Sequence, residues 1–484
     1  MKQTARATLE VHFKLFGTDG VSLQSQELSR ALRNSGWQVH ACASDIPDGI
    51  LGLRIPQLAY QSDDAVALRR RLFHPDASIP KVSSATELLA ELTTRAEAIR
   101  AMVERYIDEH RIRVLHIRNI MSLPYNMPAT LAFYDLIRQR TDLFFVLQHH
   151  DLYWEGPNAR NFISPYPEVA ELITRISCPD EPNTAHVLIN PIAARALNER
   201  KGIQGQVIPD GFDFDRAITP LDEDRFRSRL ETLAGDTSPI TRNDLLVAMP
   251  ARVAINKAIE LAIQFVAGLT SRRAELEHAP DGLGAHRRRL GSGGKIVLLL
   301  PQGEDLEDNR EYFDKLVAYA DALGITLAYG GNVVVPDQRF TPGDTEHVPF
   351  YSTYQTFDLV CYSSEHEGFG NQAIETIWAR VPLVILEYPV FRVFVRHYLP
   401  HYVSLGEVDG LVRPPELGGL YKLPEDRLQR AVQEAITVLS EHALETTWVD
   451  QNAASLRAFC GIDVVCSQYI RLYESGLARV SSGD

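Results

Sequence analysis

Leu359-Val360-Cys361-Tyr362 is a short apolar run that breaks into Ser363-Ser364-Glu365-His366-Glu367-Gly368-Phe369-Gly370 and resumes, at helical spacing, as Asn371-Gln372-Ala373-Ile374-Glu375-Thr376-Ile377-Trp378. The pattern predicts a buried strand, a glycine-punctuated turn and a helix. At such a turn the free amides and the positive end of the helix face the carboxyl end of the strand, where an anion is favoured. Glu367 falls in the turn and Glu375 about a turn into the helix, so both can face one pocket; as isolated surface charges they would carry no message.

Working outward, the alternation recurs. Leu9-Glu10-Val11-His12-Phe13 reads as a strand before a glycine turn, 21–35 as a helix with Leu23, Leu28, Ala31 and Leu32 on one face, and Gln38-Val39-His40-Ala41-Cys42 as the next strand after the stop at Gly36. A charged helix over 84–109 leads to Val114-Leu115-His116-Ile117, one near 129–139 to Leu143-Phe144-Phe145-Val146-Leu147, and a further helix to His186-Val187-Leu188-Ile189. Alternating strands and helices imply a parallel sheet covered by helices on both faces.

The pattern breaks over 205–244, around Pro209-Asp210-Gly211 and the polar cluster 235–243, and restarts at Leu245-Leu246-Val247-Ala248-Met249. A helix over 257–271 and strands over 295–300, 325–329, 358–362 and 382–386 follow. Residues 272–294, with Arg287-Arg288-Arg289, read as a solvated surface insertion. The expectation is an α/β protein of two doubly wound, Rossmann-like domains facing a cleft: 1–210, a connection over 211–244, 245–445, and a helical segment over 446–484 whose final helix, 464–478, is free to pack anywhere.

Bulk properties agree. At roughly 150 residues per domain, 484 residues accommodate two large domains or three small ones. With 45% apolar and 23% charged residues the chain builds a core. A formal charge of −14 gives no support to a nucleic-acid or anionic-membrane partner. Cys42, Cys178, Cys361, Cys460 and Cys466 form no Cys-x-x-Cys, which fits a reducing cytoplasm and argues against a thiolate zinc site. The start has no apolar signal region and no window reaches a membrane span, so the chain reads as soluble, unprocessed and cytoplasmic.

Three further stretches sit at strand ends: Phe16-Gly17-Thr18-Asp19-Gly20-Val21-Ser22, His149-His150-Asp151, and Met249-Pro250-Ala251-Arg252-Val253-Ala254-Ile255-Asn256-Lys257. Arg252 can grip two phosphate oxygens as a fork and Lys257 can act as a point charge, although both could equally stand exposed at the mouth of a helix. Two adjacent histidines and an aspartate could be loop residues or could grip a divalent ion; without a third ligand signal no metal is required. Gly17 and Gly20 alone would be turn residues.

Taken together, Glu367 through Glu375 with Glu-Gly-Phe-Gly at its head, the Arg252/Lys257 stretch and the Gly17–Gly20 loop resemble the motifs of retaining family 4 glycosyltransferases, which have the two-Rossmann GT-B fold. Within that family Gly17 to Leu23, His149 to Glu155, Ile189 to Ala194 and Glu387 to Phe391 are similar to the mannosylglucosylglycerate synthase branch. The resemblance implies an N-terminal acceptor domain, a C-terminal donor domain, and transfer of glucose or mannose from a UDP-, GDP- or ADP-hexose to a small hydroxyl-rich acceptor such as a glycerate or glucosylglycerate. It implies that Arg252, Lys257, Gly368, Phe369 and Gly370 bind the donor diphosphate, with Gly17 and Gly20 closing from the other domain. Glu375 would hold the ribose, Glu367 hydroxyls of the transferred sugar, and His150, or else His149, the donor sugar. Asp19, His149 and Asp151 are the acceptor-side candidates. No cofactor beyond the co-substrate is implied, a divalent metal stays open, and a homo-oligomer is compatible. The segments 54–84 and 272–294 depart from the simplest family pattern.

Two other classes share this shape: a nucleotide-sugar epimerase, which should not need both the Arg252/Lys257 and Glu367/Glu375 sets, and a binding protein without chemistry. A nicotinamide dehydrogenase is disfavoured, because no Gly-x-Gly-x-x-Gly follows a strand.

Overall fold

The computed structural model describes residues 6–73, 84–291, 293–302, 306 and 309–482. Positions 1–5, 74–83 of the long segment 54–84, and 292 of segment 272–294 lie outside the described residues. The chain divides into two compact α/β units, Met1–Asp213 with Cys460–Asp484, and Phe214–Phe459.

The first unit carries seven parallel strands, β1 (Ala7–Val11), β2 (Gln38–Ala43), β3 (Gly52–Arg54), β4 (Val114–Arg118), β5 (Phe144–His149), β6 (Thr184–Leu188) and β7 (Gln206–Val207), in the order β3-β2-β1-β4-β5-β6-β7. Leu9 of β1 stands beside His40 of β2 and Leu115 of β4. Strands β1, β4 and β5 are buried along their whole length, so the polar Thr8, Glu10, His116 and Arg118 are buried along with the apolar residues between them. Helices Ala85–His110, Met127–Gln139 and Pro167–Ile176 supply Leu92, Ile99, Phe133 and Ile173 to the core on one face. The other face receives Leu28 and Leu32 of helix Gly20–Asn34 together with Val465, Cys466, Tyr469 and Tyr473 of the terminal helix, Ile462–Ser482.

That terminal helix therefore returns to the first unit. Each large side chain it buries contributes roughly 1.5–3 kcal/mol, and Gly476 permits close approach, since a Cβ there would lie 2.2 Å from the Phe144 ring.

The second unit has β8 (Glu231–Ala234), β9 (Leu245–Ala248), β10 (Ile296–Leu300), β11 (Thr326–Tyr329), a separate pair β12 (Val334–Val335) and β13 (Val348–Pro349), then β14 (Leu359–Tyr362), β15 (Leu383–Glu387) and β16 (Val403–Glu407). Its main sheet runs β16-β15-β14-β9-β10-β11-β8, parallel except for the antiparallel edge β8. Gly268 lets helix Ile259–Ser271 cross Val432 of helix Glu425–Ser440, where a Cβ would meet the valine at 2.6 Å.

Three expectations need redrawing. The stretch expected as a connection over 211–244 contains helix Glu223–Ser228 and β8, both within the second unit. The expected helical segment 446–484 is split, because helix His442–Cys460 lies in the second unit up to Phe459 while the terminal helix belongs to the first. Arg288 is not solvated: a local bridge between Leu283 and Arg288 turns its side chain inward, 5% exposed, onto Asp358 at 2.9 Å and onto Glu223 at 2.5 Å. Sequence shows a basic triplet, but which of three adjacent arginines meets a buried carboxylate depends on that turn.

In each sheet the chain builds outward from one strand and then returns to its other side. The reversal falls between β1 and β4 in the first unit and between β9 and β14 in the second. Ligands of open α/β sheets bind at the carboxyl ends of such strand pairs. Among the described residues no helix is long and apolar enough to cross a membrane.

Candidate functional site

The stretch that follows β14 lies at the reversal of the second sheet. Gly370 has φ +101°, and a Cβ there would come within 2.0 Å of the Tyr388 hydroxyl, which itself donates to the Phe369 carbonyl at 2.7 Å. Only glycine fits this close approach. Gly370 starts helix Asn371–Trp378 without any side-chain cap; Ala373 N donates to the Gly370 carbonyl at 3.0 Å, and the Asn371 and Gln372 amides precede it. Gly368 is half-buried and Phe369 buried.

Lys257 ends a single 3₁₀ turn after β9, and Ala258 then turns through φ +44° into helix Ile259–Ser271. The loops after β9 and β14 are tied together: Glu365 N donates to the Asn256 carbonyl at 3.0 Å and Ser363 Oγ to the Lys257 carbonyl at 3.1 Å. This brings Lys257 Nζ onto Glu367 Oε1, and the Tyr362 hydroxyl donates to the same oxygen at 2.5 Å. Burial and the adjacent Glu367 charge hold the Tyr362 phenol well above its usual range. Arg252, on the same loop, is exposed.

Glu375 occupies a different environment. It is 5% exposed, its Oε2 accepts from Tyr354 at 2.8 Å, and its Oε1 lies 3.4 Å from the Tyr351 hydroxyl. Burial lifts its carboxyl to about 7, against the hydrogen bond from Tyr354 and the charge of Arg216. The Arg216 guanidinium covers the Tyr351 ring at 4.2 Å. A carboxylate offers about four lone-pair positions, so two phenols do not exhaust it.

The N-terminal candidates belong to the first unit. Asp19 caps helix Gly20–Asn34, accepting from Ser22 N at 3.0 Å and Ser22 Oγ at 2.8 Å. A Cβ at Gly17 would lie 2.5 Å from Lys14 Cε and 2.6 Å from Asp19 Oδ2, both at the ends of side chains that can shift. Gly20 is the first residue of the helix.

His149 and His150 part company at the end of β5. His149 Nε2 is 3.0 Å from His186 Nδ1, and His186 Nε2 is 3.0 Å from the Pro179 carbonyl. A carbonyl only accepts, so His186 carries its proton on Nε2 and His149 donates to its Nδ1. Burial keeps both imidazoles neutral, His149 far below the usual value and His186 near 4. His150 instead donates its backbone N–H to Asn119 Oδ1 at 2.8 Å and turns its Nδ1 toward Asp210 Oδ1, 3.7 Å away. Its Nε2 is buried without a hydrogen-bond partner among the described residues. Burial and the Arg118 charge push its pKa far down. Arg118 is held by Glu10 at 3.0 Å and by Gln148, and although burial would raise the Glu10 carboxyl, His116 and Arg118 bring it to about 2. Asp151 is exposed.

The structure thus unites Lys257, Glu367 and the Gly368–Gly370 turn, sets Glu375 among tyrosines, and separates His149 from His150. Among the described residues no three His, Cys, Asp or Glu side chains converge as a metal site. Sequence reasoning missed Tyr362, Tyr354, Asn119 and Asp210. Tyr362, the last residue of β14, was open to detection as a polar tip where ligands bind; Asn119 and Asp210 carry no local signal.

No family model matches the chain. It is 28% identical over 444 residues to a mannosylglucosylglycerate synthase of Thermotoga maritima, covering 91% of this chain and 93% of that protein. A second mannosylglucosylglycerate synthase, from Petrotoga mobilis, is 26% identical over 429 residues, covering 89% and 92%. Among solved structures it is similar to a glycosyltransferase of Rickettsia africae (TM-score 0.57, 13% identity, 98% and 99% coverage) and to a sucrose-phosphate synthase of Thermosynechococcus elongatus (0.56, 14%, 98% and 99%). The likeness to these solved structures shows the GT-B fold.

Proposed function

We propose that this GT-B glycosyltransferase moves a hexose, with retention, from a nucleotide-sugar donor to a small hydroxyl-rich acid such as a glycerate or glucosylglycerate. The observation that carries the reading is the Lys257–Glu367 contact beside Gly370, at the carboxyl ends of the two strands where the second sheet reverses. The names of the curated relatives support the acceptor class.

As the anomeric C–O bond breaks, charge grows on the departing diphosphate, so groups that bind it more strongly in the transition state accelerate the step. Lys257, Arg252 and the Asn371 and Gln372 amides after Gly370 are assigned to that charge. Glu367, released from Lys257 when phosphate takes the ammonium, accepts from hydroxyls of the transferred sugar. Glu375 takes the ribose hydroxyls alongside its two tyrosines. His150 presents Nε2 to a sugar hydroxyl; His149, locked on His186, has a packing role. The acceptor oxygen bonds to the anomeric carbon on the face the diphosphate leaves, and its proton passes to a phosphate oxygen, so no covalent glycosyl-enzyme forms.

The test is to incubate the protein with UDP-, GDP- and ADP-hexoses, with and without glycerate or glucosylglycerate, measuring nucleotide release and the first-formed anomer by proton NMR. Acceptor-dependent release and an α product from an α donor are expected. A β product would refute retention, and release indifferent to acceptor would favour an epimerase or hydrolase.

A further inference from the structure

The first sheet has its own reversal, between β1 and β4, and aromatic side chains gather at its carboxyl end. Phe13, two residues past β1, packs on Tyr60 with ring centroids 5.2 Å apart. Tyr60 stacks on Tyr125, from the loop after β4, at 5.5 Å and 29°. Both tyrosines are only half-buried, and Asp19 and Asp151 are close enough to raise the Tyr60 and Tyr125 phenols, burial being the larger cause in each.

Into this cluster helix Asp63–Phe73 sends Arg69. Its guanidinium lies 5.4 Å from the Tyr125 ring centroid, and Nη1 donates to the Tyr60 carbonyl at 3.1 Å and the Tyr125 carbonyl at 3.4 Å. Two neutral carbonyls orient a guanidinium but do not neutralise it. Among the described residues no carboxylate pairs with Arg69, whereas Arg71 pairs with Glu91 at 2.9 Å and Arg118 with Glu10. Partial burial strips water from part of this charge, a loss that an incoming anion would offset. The planar fork retains Nε and Nη2 for a carboxylate, and the tyrosines beside it offer faces for a sugar's C–H surface.

We infer that Arg69, held against Tyr60 and Tyr125 at the reversal of the first sheet, receives the carboxylate of the acceptor. The inference rests on the proposed transfer to a sugar acid and names the residue that would make the enzyme select an acid over a neutral polyol.

The test compares glucosylglycerate with glucosylglycerol, which lacks the carboxylate, as acceptors for wild type, Arg69→Gln and Arg69→Lys, using the donor found in the nucleotide-release screen. Wild type should favour the acid by on the order of 10- to 100-fold in kcat/KM. Arg69→Gln should bring that ratio near one, mainly by raising KM for the acid, and Arg69→Lys should keep part of it. Thermal melts and nucleoside-diphosphate affinity in the same samples report folding of both units. If Arg69→Gln does not fold, Arg69→Lys decides: loss of preference confined to the acid supports the assignment, and an unchanged preference overturns it. Retained preference in a folded Arg69→Gln overturns Arg69 while leaving transfer intact. Equal use of both acceptors by wild type overturns the carboxylate subsite and again leaves transfer intact. No transfer to either acceptor overturns the acceptor reading and this inference with it.

Discussion

The ammonium of Lys257 rests on the carboxylate of Glu367, 110 residues further along the chain, and Tyr362 donates to the same oxygen. The contact holds two strand-end loops together and places a cation and an anion where donor phosphate and sugar are proposed to lie. With side-chain exposures of 10% and 14%, neither charge has bulk water to fall back on.

Removing one partner should therefore cost stability as well as activity. Lys257→Ala is expected to lose about 1–3 kcal/mol in urea unfolding, because Glu367 is left desolvated beside Tyr362. The double variant Lys257→Ala/Glu367→Ala should lose less than the sum of the single losses. Turnover in Lys257→Ala should fall by roughly 10² to 10³. Additive stability losses would show that the pair is not coupled.

Glu375 supplies a pH signature. Its folded value of about 7 lies above the ordinary 4.5, so the folded state holds the proton more tightly. The associated stability is fully present below about 4.5 and is lost as pH rises through about 7, a change on the order of 1–3 kcal/mol. Glu445 is raised to about 7 as well, so wild type alone does not assign the slope. The difference between wild type and Glu375→Gln across pH 4.5 to 8 does, and the variant should be the flatter. Glu375→Ala should also weaken free nucleoside-diphosphate binding by calorimetry; unchanged affinity would remove the ribose role.

Gly370→Ala should fail for two separable reasons. The left-handed φ costs an L-residue roughly 1–2 kcal/mol, and the added methyl meets the Tyr388 hydroxyl. Tyr388→Phe removes that oxygen, so the double variant Gly370→Ala/Tyr388→Phe should recover part of the lost melting temperature. The φ penalty stays, and full recovery would show that strain at Gly370 is negligible.

The second-sheet loop was legible because its strand, glycines and helix are local: Leu359–Tyr362 is wholly buried and Gly370 begins the helix. What sequence left open was long-range. The terminal helix shows an apolar stripe at Val465, Cys466, Tyr469 and Tyr473, but the stripe does not say which sheet it covers. Segment 211–244 looks polar enough for a linker, yet β8 within it closes an edge by pairing with β11, which depends on a partner about 95 residues away rather than on local pattern. Glu375 was legible as a helix residue, whereas its tyrosine environment comes from a separate stretch, 350–354.

The two histidines, which sequence ranks only by the place of His150 beside Asp151, should separate by experiment. Adjacent residues leaving a strand point to opposite sides, and here His149 meets His186 while the His150 ring turns toward Asp210. His149 completes a chain of donors running through His186 to the Pro179 carbonyl. His149→Ala would open a cavity and leave the buried His186 Nδ1 without its donor. It should lower the melting temperature, with roughly 1–3 kcal/mol lost for the unpaired group and catalysis per folded molecule nearly kept. His150→Ala removes no side-chain hydrogen bond as short as that one. Its effect should fall on turnover, with nucleoside-diphosphate affinity little changed, since the residue is proposed to meet the sugar rather than the phosphates. Thermal melts and kcat measured on the same two proteins decide the matter. If His149→Ala abolished turnover in a normally folded protein while His150→Ala left it intact, the assignment of His150 to the donor sugar would be reversed.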